Sequence, residues 1–195
     1  METKDRLRNA AIVLFADQGF HATTIGNIES AAGFAQRAGT FYRHFPSKQA
    51  IFDDCVRKLV DIADRAFDPT DTLLLNDPRA ELITIAQTMI KVARDNRSIR
   101  KLIRKNVGEQ PLILNTLNEI NQWFFTKKLA LWVAEKLAAA DSKADPMMMA
   151  ALIFGPILYH MIQADIDAYS FGIDERHFLK NWADHWSAVL TPKRN

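Results

Sequence analysis

The chain of 195 residues is 48% apolar and 25% charged, the balance of an ordinary globular protein long enough to bury a core without disulfide or metal staples. Lysines and arginines number 25 against 23 acids, so the net charge of +2 excludes a histone-like polycation, and the single cysteine, Cys55, excludes an internal disulfide or a four-cysteine metal cage. No apolar run approaches the roughly 18 residues that cross a bilayer, and the charged start Met1–Arg6 lacks a hydrophobic signal core, so a cytoplasmic protein without membrane contact is expected.

Seven glycines and seven prolines leave little punctuation for strands, and a helical period runs almost throughout. Leu7, Ala11, Leu14 and Phe15 repeat at helical spacing up to a stop at Gly19. Thr24 is placed to N-cap a short second helix through Ile25, Ile28, Ala31 and Ala32, which Gly33 ends. A third short helix is expected over about Gln36–Tyr42. Ser47 then caps a longer one with Ile51, Phe52, Val56, Leu59, Val60 and Ala63 on its apolar side.

Further helix starts fall at Asn76-Asp77-Pro78 and after Gly108–Pro111, where the pattern runs on to Asp145-Pro146. Two last helices are expected over about Met147–Tyr169 and Asp174–Leu190. The fold class is all-α. A helix-turn-helix domain over 1–48, with a connecting helix 47–67, is followed by a larger helical domain over 68–195.

Two short helices joined by a tight turn and feeding a longer helix outline a unit that presents its second helix to base edges in the major groove. Thr24 offers a hydroxyl at a helix N-terminus, where backbone N–H groups favour phosphate. Gln36, Arg37 and Thr40 suit base edges or phosphates, and Tyr42, His44 and Lys48 suit the phosphate backbone. The same polar groups would also serve as a solvated face of any helical bundle. Residues 1–50 hold six basic and four acidic groups, a thin electrostatic footprint for one DNA-reading module.

The residues themselves narrow the choice. The run Phe15–Ile25 (FADQGFHATTI), then Ile28, then Ala32-Gly33, then Gly39–Lys48 (GTFYRHFPSK), closely resembles the DNA-binding domain of the TetR family of transcriptional regulators over about residues 8–55. Two departures stand out. The family usually has three residues between Ala-Gly and Gly-Thr, whereas five stand here, Phe34–Ala38, so Gln36 and Arg37 carry over less directly than Thr40, Tyr42, His44 and Lys48. Glu29 replaces the usual alanine, and a partly exposed position or a local salt bridge is expected there.

The resemblance implies a dimeric regulator, acting as a repressor, that binds a palindromic operator and releases it when a small-molecule effector enters the helical C-terminal domain. Met147–Ile162 is apolar almost all round and suits a subunit interface with the last helix, which makes Phe154, Leu158, Met161, Trp182 and Trp186 candidates for dimerisation. Met89, Trp123, Phe124 and Met148 are candidates to line an effector cavity, with plain core the alternative for each. Arg97, Arg100, Lys101, Arg104 and Lys105 share one helical face opposite Ile99, Leu102 and Ile103, either as a solvated stripe or as a contact for phosphate or an anionic effector. No phosphate loop, metal-ligand spacing or cofactor motif is present in the sequence, so an enzyme is not expected. The rival reading is a helical ligand-binding or scaffold protein whose DNA-reading head is impaired by the two extra residues.

Overall fold

The computed structural model describes residues 2–36, 39–66, 75–121, 129–165 and 173–191. All regular structure among them is helical: α1 (Thr3–Ala22), α2 (Ile25–Ala31), a 3₁₀ turn (Phe41–Arg43), α3 (Lys48–Ala66), α4 (Pro78–Asp95), α5 (Arg97–Asn106), α6 (Pro111–Asn121), α7 (Ala130–Ala139), α8 (Pro146–Asp165) and α9 (Glu175–Leu190). Of the long helical pattern after Gly108, the described residues show α6 and α7, and residues 122–128, with Trp123 and Phe124 among them, lie outside the described residues.

The chain forms two compact units that do not follow sequence order. One joins Met1–Ile62 to Asn96–Asn118, and the other joins Ala63–Asp95 to Glu119–Asn195. A division at residue 68 therefore misses α5. Its apolar face (Ile99, Leu102, Ile103) is buried in the core of the first unit, and α1 is its principal partner. That core centres on Phe15, which meets Phe52 edge-on at 5.1 Å and stacks on Phe20 at 5.7 Å. Leu7, Ala11, Ile28, Phe41, Ile51 and Val56 complete it, all at 0% exposure, so each short helix contributes at least one fully buried side chain.

The second unit packs α4, α7, α8 and α9 around Leu82, Ile85, Trp132, Phe154, Ile157 and Trp182. Phe154 (0% exposed) and Trp182 (6%) are therefore core, not free interface residues, because α8 turns them toward Trp132 and α9. Leu158, Met161 and Trp186 are partly buried against the same cluster. Asp174 caps α9 by accepting from the His177 backbone N–H at 3.0 Å. No helix among the described residues is long and apolar enough to cross a membrane.

Candidate nucleic-acid interface

The first unit builds its exposed end from α2 and the segment after it. Thr24 closes α2 reciprocally: its Oγ1 accepts from the Asn27 N–H at 3.1 Å, and Asn27 Oδ1 accepts from the Thr24 N–H at 3.1 Å. The neighbouring Thr23 turns inward, donating its hydroxyl to the Gly19 carbonyl at 2.8 Å. Thr23 is thus buried while Thr24 stays exposed, and the Thr-Thr pair fixes both the end of α1 and the start of α2.

The chain leaves α2 at Gly33, whose φ of +76° is open to glycine and strained for other residues. A Cβ there would also meet the Arg6 guanidinium at 2.8 Å. Arg6 holds the turn by donating to the Ala32 carbonyl at 2.7 Å and lying over the Phe34 ring.

Of the helix expected over Gln36–Tyr42, Arg37 and Ala38 lie outside the described residues. Gln36 sits in a turn against Gly26, and among the described residues helical hydrogen bonding is found at the 3₁₀ turn Phe41–Arg43. On either side of the spacer, Gly33 follows the end of α2, and Phe41 and Phe45 are held in the core. With Phe41 and Phe45 inward, Tyr42, Arg43 and His44 face solvent, Tyr42 at 63% exposure.

Glu29 explains how so short a turn is held. Where a partly exposed position or a local salt bridge is expected, it is 2% exposed, and its Oε1 accepts from the Phe41 N–H at 3.1 Å. A carboxylate at a turn's N-terminal end satisfies an orphan donor with a charge-assisted bond. The reading segment is thereby tied to α2 through one buried side chain.

Lys48 has a different first task from the one expected. Its ammonium donates to the carbonyls of Phe20 and Thr23, both at 2.9 Å, and lies over the Phe20 ring at 4.3 Å. It closes the C-terminal end of α1 as a cation at the negative end of a helix dipole. Two of its three N–H donors are used this way.

A second clasp acts on α1 from α5. Gly19, at φ +85°, breaks the helical geometry and takes the following Phe20 N–H out of the helical run. Asn106 is 0% exposed and spans the break: Nδ2 donates to the Phe15 carbonyl at 3.1 Å and to the Leu102 carbonyl at 2.7 Å, while Oδ1 accepts from the Phe20 N–H at 2.7 Å. The partners fix the amide orientation, since carbonyls face the NH₂ and an N–H faces the oxygen.

This domain can be placed among known proteins. Residues 7–55 match the model of bacterial regulatory proteins of the tetR family. A 58-residue stretch is 38% identical to the HTH-type transcriptional repressor KstR2 of Rhodococcus jostii, covering 30% of this chain and 28% of that protein's length. The whole fold resembles Salmonella enterica GusR (24% identity, TM-score 0.66, 96% of this chain and 93% of that one). It also resembles a transcriptional regulator from Saccharomonospora viridis solved with choline (22% identity, TM-score 0.69, 93% of each chain). Residues 7–55 form a DNA-binding domain of the tetR type.

Within this domain, Thr24, Gln36, Tyr42 and His44 are exposed and Thr40 is half-buried. Arg43 belongs with them and was not singled out by sequence; its signal was a lone cation inside the Tyr-x-His run, between two residues that were. Arg6 and Arg8 face inward duties instead, Arg6 on Ala32 and Arg8 on Asp54 and Asp5. The Asp54 carboxylate, with Asp5 helping, holds the Arg8 guanidinium above its usual pKa against the cost of burial.

To the unit's cationic surface α5 adds five basic groups and places Arg97, Lys101, Arg104 and Lys105 in solvent, Lys101 paired with Asp17 at 2.7 Å. In the second unit, Met89 is buried in the core, whereas Met148 is 55% exposed and so does not line an interior cavity. The helix there faces the other way, with Met148, Leu152 and Tyr159 at about half exposure along one side of α8.

Proposed function

We propose that the chain is a DNA-binding transcriptional repressor that reads a palindromic operator as a homodimer and releases it when a small molecule binds the second unit. The observation that carries the reading is the 3₁₀ turn held by Glu29, which sends Phe41 and Phe45 inward and Tyr42, Arg43 and His44 outward on a domain that matches the TetR-family model. Aromatic hydroxyl, guanidinium and imidazole groups at a capped turn suit phosphate and base-edge contact. Dimerisation is supported by the exposed stripe Met148, Leu152 and Tyr159 on α8, spaced at i, i+4 and i+11, together with Val189 on α9 (46% exposed). A structurally similar regulator was solved with choline, which supports a small effector as a class and names none for this chain.

The test is selection from random duplex DNA at two salt concentrations, with sequencing of the retained fragments and a screen of small molecules on the resulting complex. A palindrome with half-sites about one helical turn, or a multiple, apart is expected. Retention that is weak, salt-labile and without a motif overturns the reading. The rival, a helical ligand-binding or scaffold protein with an impaired head, draws on the two extra residues in the spacer Phe34–Ala38, and it predicts that motif-free outcome.

A further inference from the structure

The second unit contains a polar group that its own packing leaves incomplete. Glu81, in the first turn of α4, is 0% exposed. Its Oε2 accepts from the Trp132 indole N–H at 2.9 Å and from the Lys136 ammonium at 2.7 Å, both on α7. Its Oε1 is fully buried with no hydrogen-bond partner. Both donors converge on one oxygen, and the other is left unpaired at a cost that a native core seldom leaves unmet.

The surroundings form the aromatic centre of the unit. Trp132 meets Phe154 edge-on with centroids 6.3 Å apart, and Phe154 meets Trp182 at 5.9 Å. The Trp182 indole is already satisfied by the Ile153 carbonyl at 2.7 Å. Ile85 and Met89 continue the inward stripe of α4 from Glu81 at four-residue spacing.

We propose that Glu81 Oε1 is the polar recognition point for the effector, and that the effector is a neutral, largely apolar molecule bearing a hydroxyl. The inference rests on reading the second unit as effector-binding. Charge decides the class. Lys136 already balances the Glu81 carboxylate, so the site lacks a donor and not a cation. A quaternary ammonium has no N–H or O–H to give, and would add an unbalanced charge to a buried, neutral pair. A hydroxyl supplies the missing bond without charge, while its apolar body packs on the aromatic cluster.

The experiment follows the indole N–H resonances of the full-length ¹⁵N-labelled protein, with Trp132 assigned by Trp132→Phe. Three primary alcohols (1-hexanol, cyclohexylmethanol and benzyl alcohol) are titrated beside their methyl-for-hydroxyl hydrocarbons and their trimethylammonium counterparts. At least one alcohol is expected to shift the Trp132 resonance saturably, about tenfold or more tightly than its matched hydrocarbon and ammonium, because a buried acceptor rejects analogues that cannot pair with it. In Glu81→Leu/Lys136→Met, which removes both charges together, the alcohol preference is expected to vanish; if that variant does not fold, the wild-type panel decides alone.

Equal or tighter binding by the hydrocarbons or ammoniums overturns the hydroxyl assignment and leaves the effector reading standing. No shift with any of the nine compounds overturns the assignment as well. The effector reading itself falls only if the operator-release screen finds no releasing molecule.

Discussion

Replacing Asn106 tests whether the head of this chain is held to α5 by one side chain. Asn106→Leu keeps the branched outline with some added volume and removes three hydrogen bonds, those to Phe15, Leu102 and Phe20. The Leu102 carbonyl lies one turn back on the same helix and keeps its backbone partner, so the loss concentrates on the Phe15 carbonyl and the Phe20 N–H at the Gly19 break. Each unpaired buried group costs about 1–3 kcal/mol. With Phe20 only partly buried and leucine gaining some apolar burial, the net is about 2–4 kcal/mol.

A change of that size lowers the melting temperature by about 4–16 °C for a chain of this length. Urea unfolding followed by circular dichroism reads it directly. Asn106→Asp sharpens the test: it keeps an acceptor for Phe20 but sets a carboxylate oxygen against two carbonyls, which raises the folded-state pKa of the new acid. Stability relative to wild type should then be lowest at neutral pH and recover as the pH falls and the acid protonates. A leucine variant within about 0.5 kcal/mol of wild type would show that water replaces the clasp, and the reasoning would fail.

Four further outcomes are expected. Burial, with help from Asp54, pushes the Cys55 thiol up to about 12, so the folded protein should not react with Ellman's reagent at pH 8. That raised value also means the contribution of Cys55 to stability is intact below about pH 9 and lost as the pH climbs toward 12; a Cys55→Ala variant should lack that part of the alkaline decline, and an identical alkaline profile refutes the account. Glu29→Ala should cost about 1–3 kcal/mol and abolish operator binding, whereas Glu29→Gln, which keeps an oxygen for Phe41, should fold normally; equal behaviour of the two in urea unfolding would remove the capping role. Tyr42→Ala, at an exposed position, should leave the melting temperature unchanged and weaken operator binding by gel shift about tenfold or more, and unchanged affinity would place Tyr42 outside the interface. Lys48→Met should lower stability by about 1–2 kcal/mol through the end of α1, and should weaken all DNA sequences alike; altered sequence preference in the selection experiment would contradict the assignment.

Much of this protein was legible in its residues because the signals were local. The helical period set the fold class, Thr24 and Ser47 marked helix starts that the structure keeps, and the ordered run from Phe15 to Lys48 pointed to the TetR family before any coordinates. Apolar spacing on α5 also gave its buried face correctly, Ile99, Leu102 and Ile103 inward and the basic side chains outward.

What the residues alone could not decide was partnership at a distance. Periodicity says that a helix has an apolar face, but not which unit covers it, so α5 joined the first unit across some eighty residues of chain. Phe154 and Trp182 read from their apolar pattern as interface residues, and only the packing of α8 and α9 on Trp132 puts them in the core. Lys48 and Glu29 carry the same lesson in polar form. A lysine next to a phosphate-reading turn and a glutamate in place of alanine have one chemistry each, and only the packed chain shows that the first caps α1 and the second holds Phe41. Short-range rules fix where helices begin and which residues want burial; the pairing of polar groups such as those beside Gly19 with Asn106 is set by three-dimensional proximity, which sequence spacing does not encode.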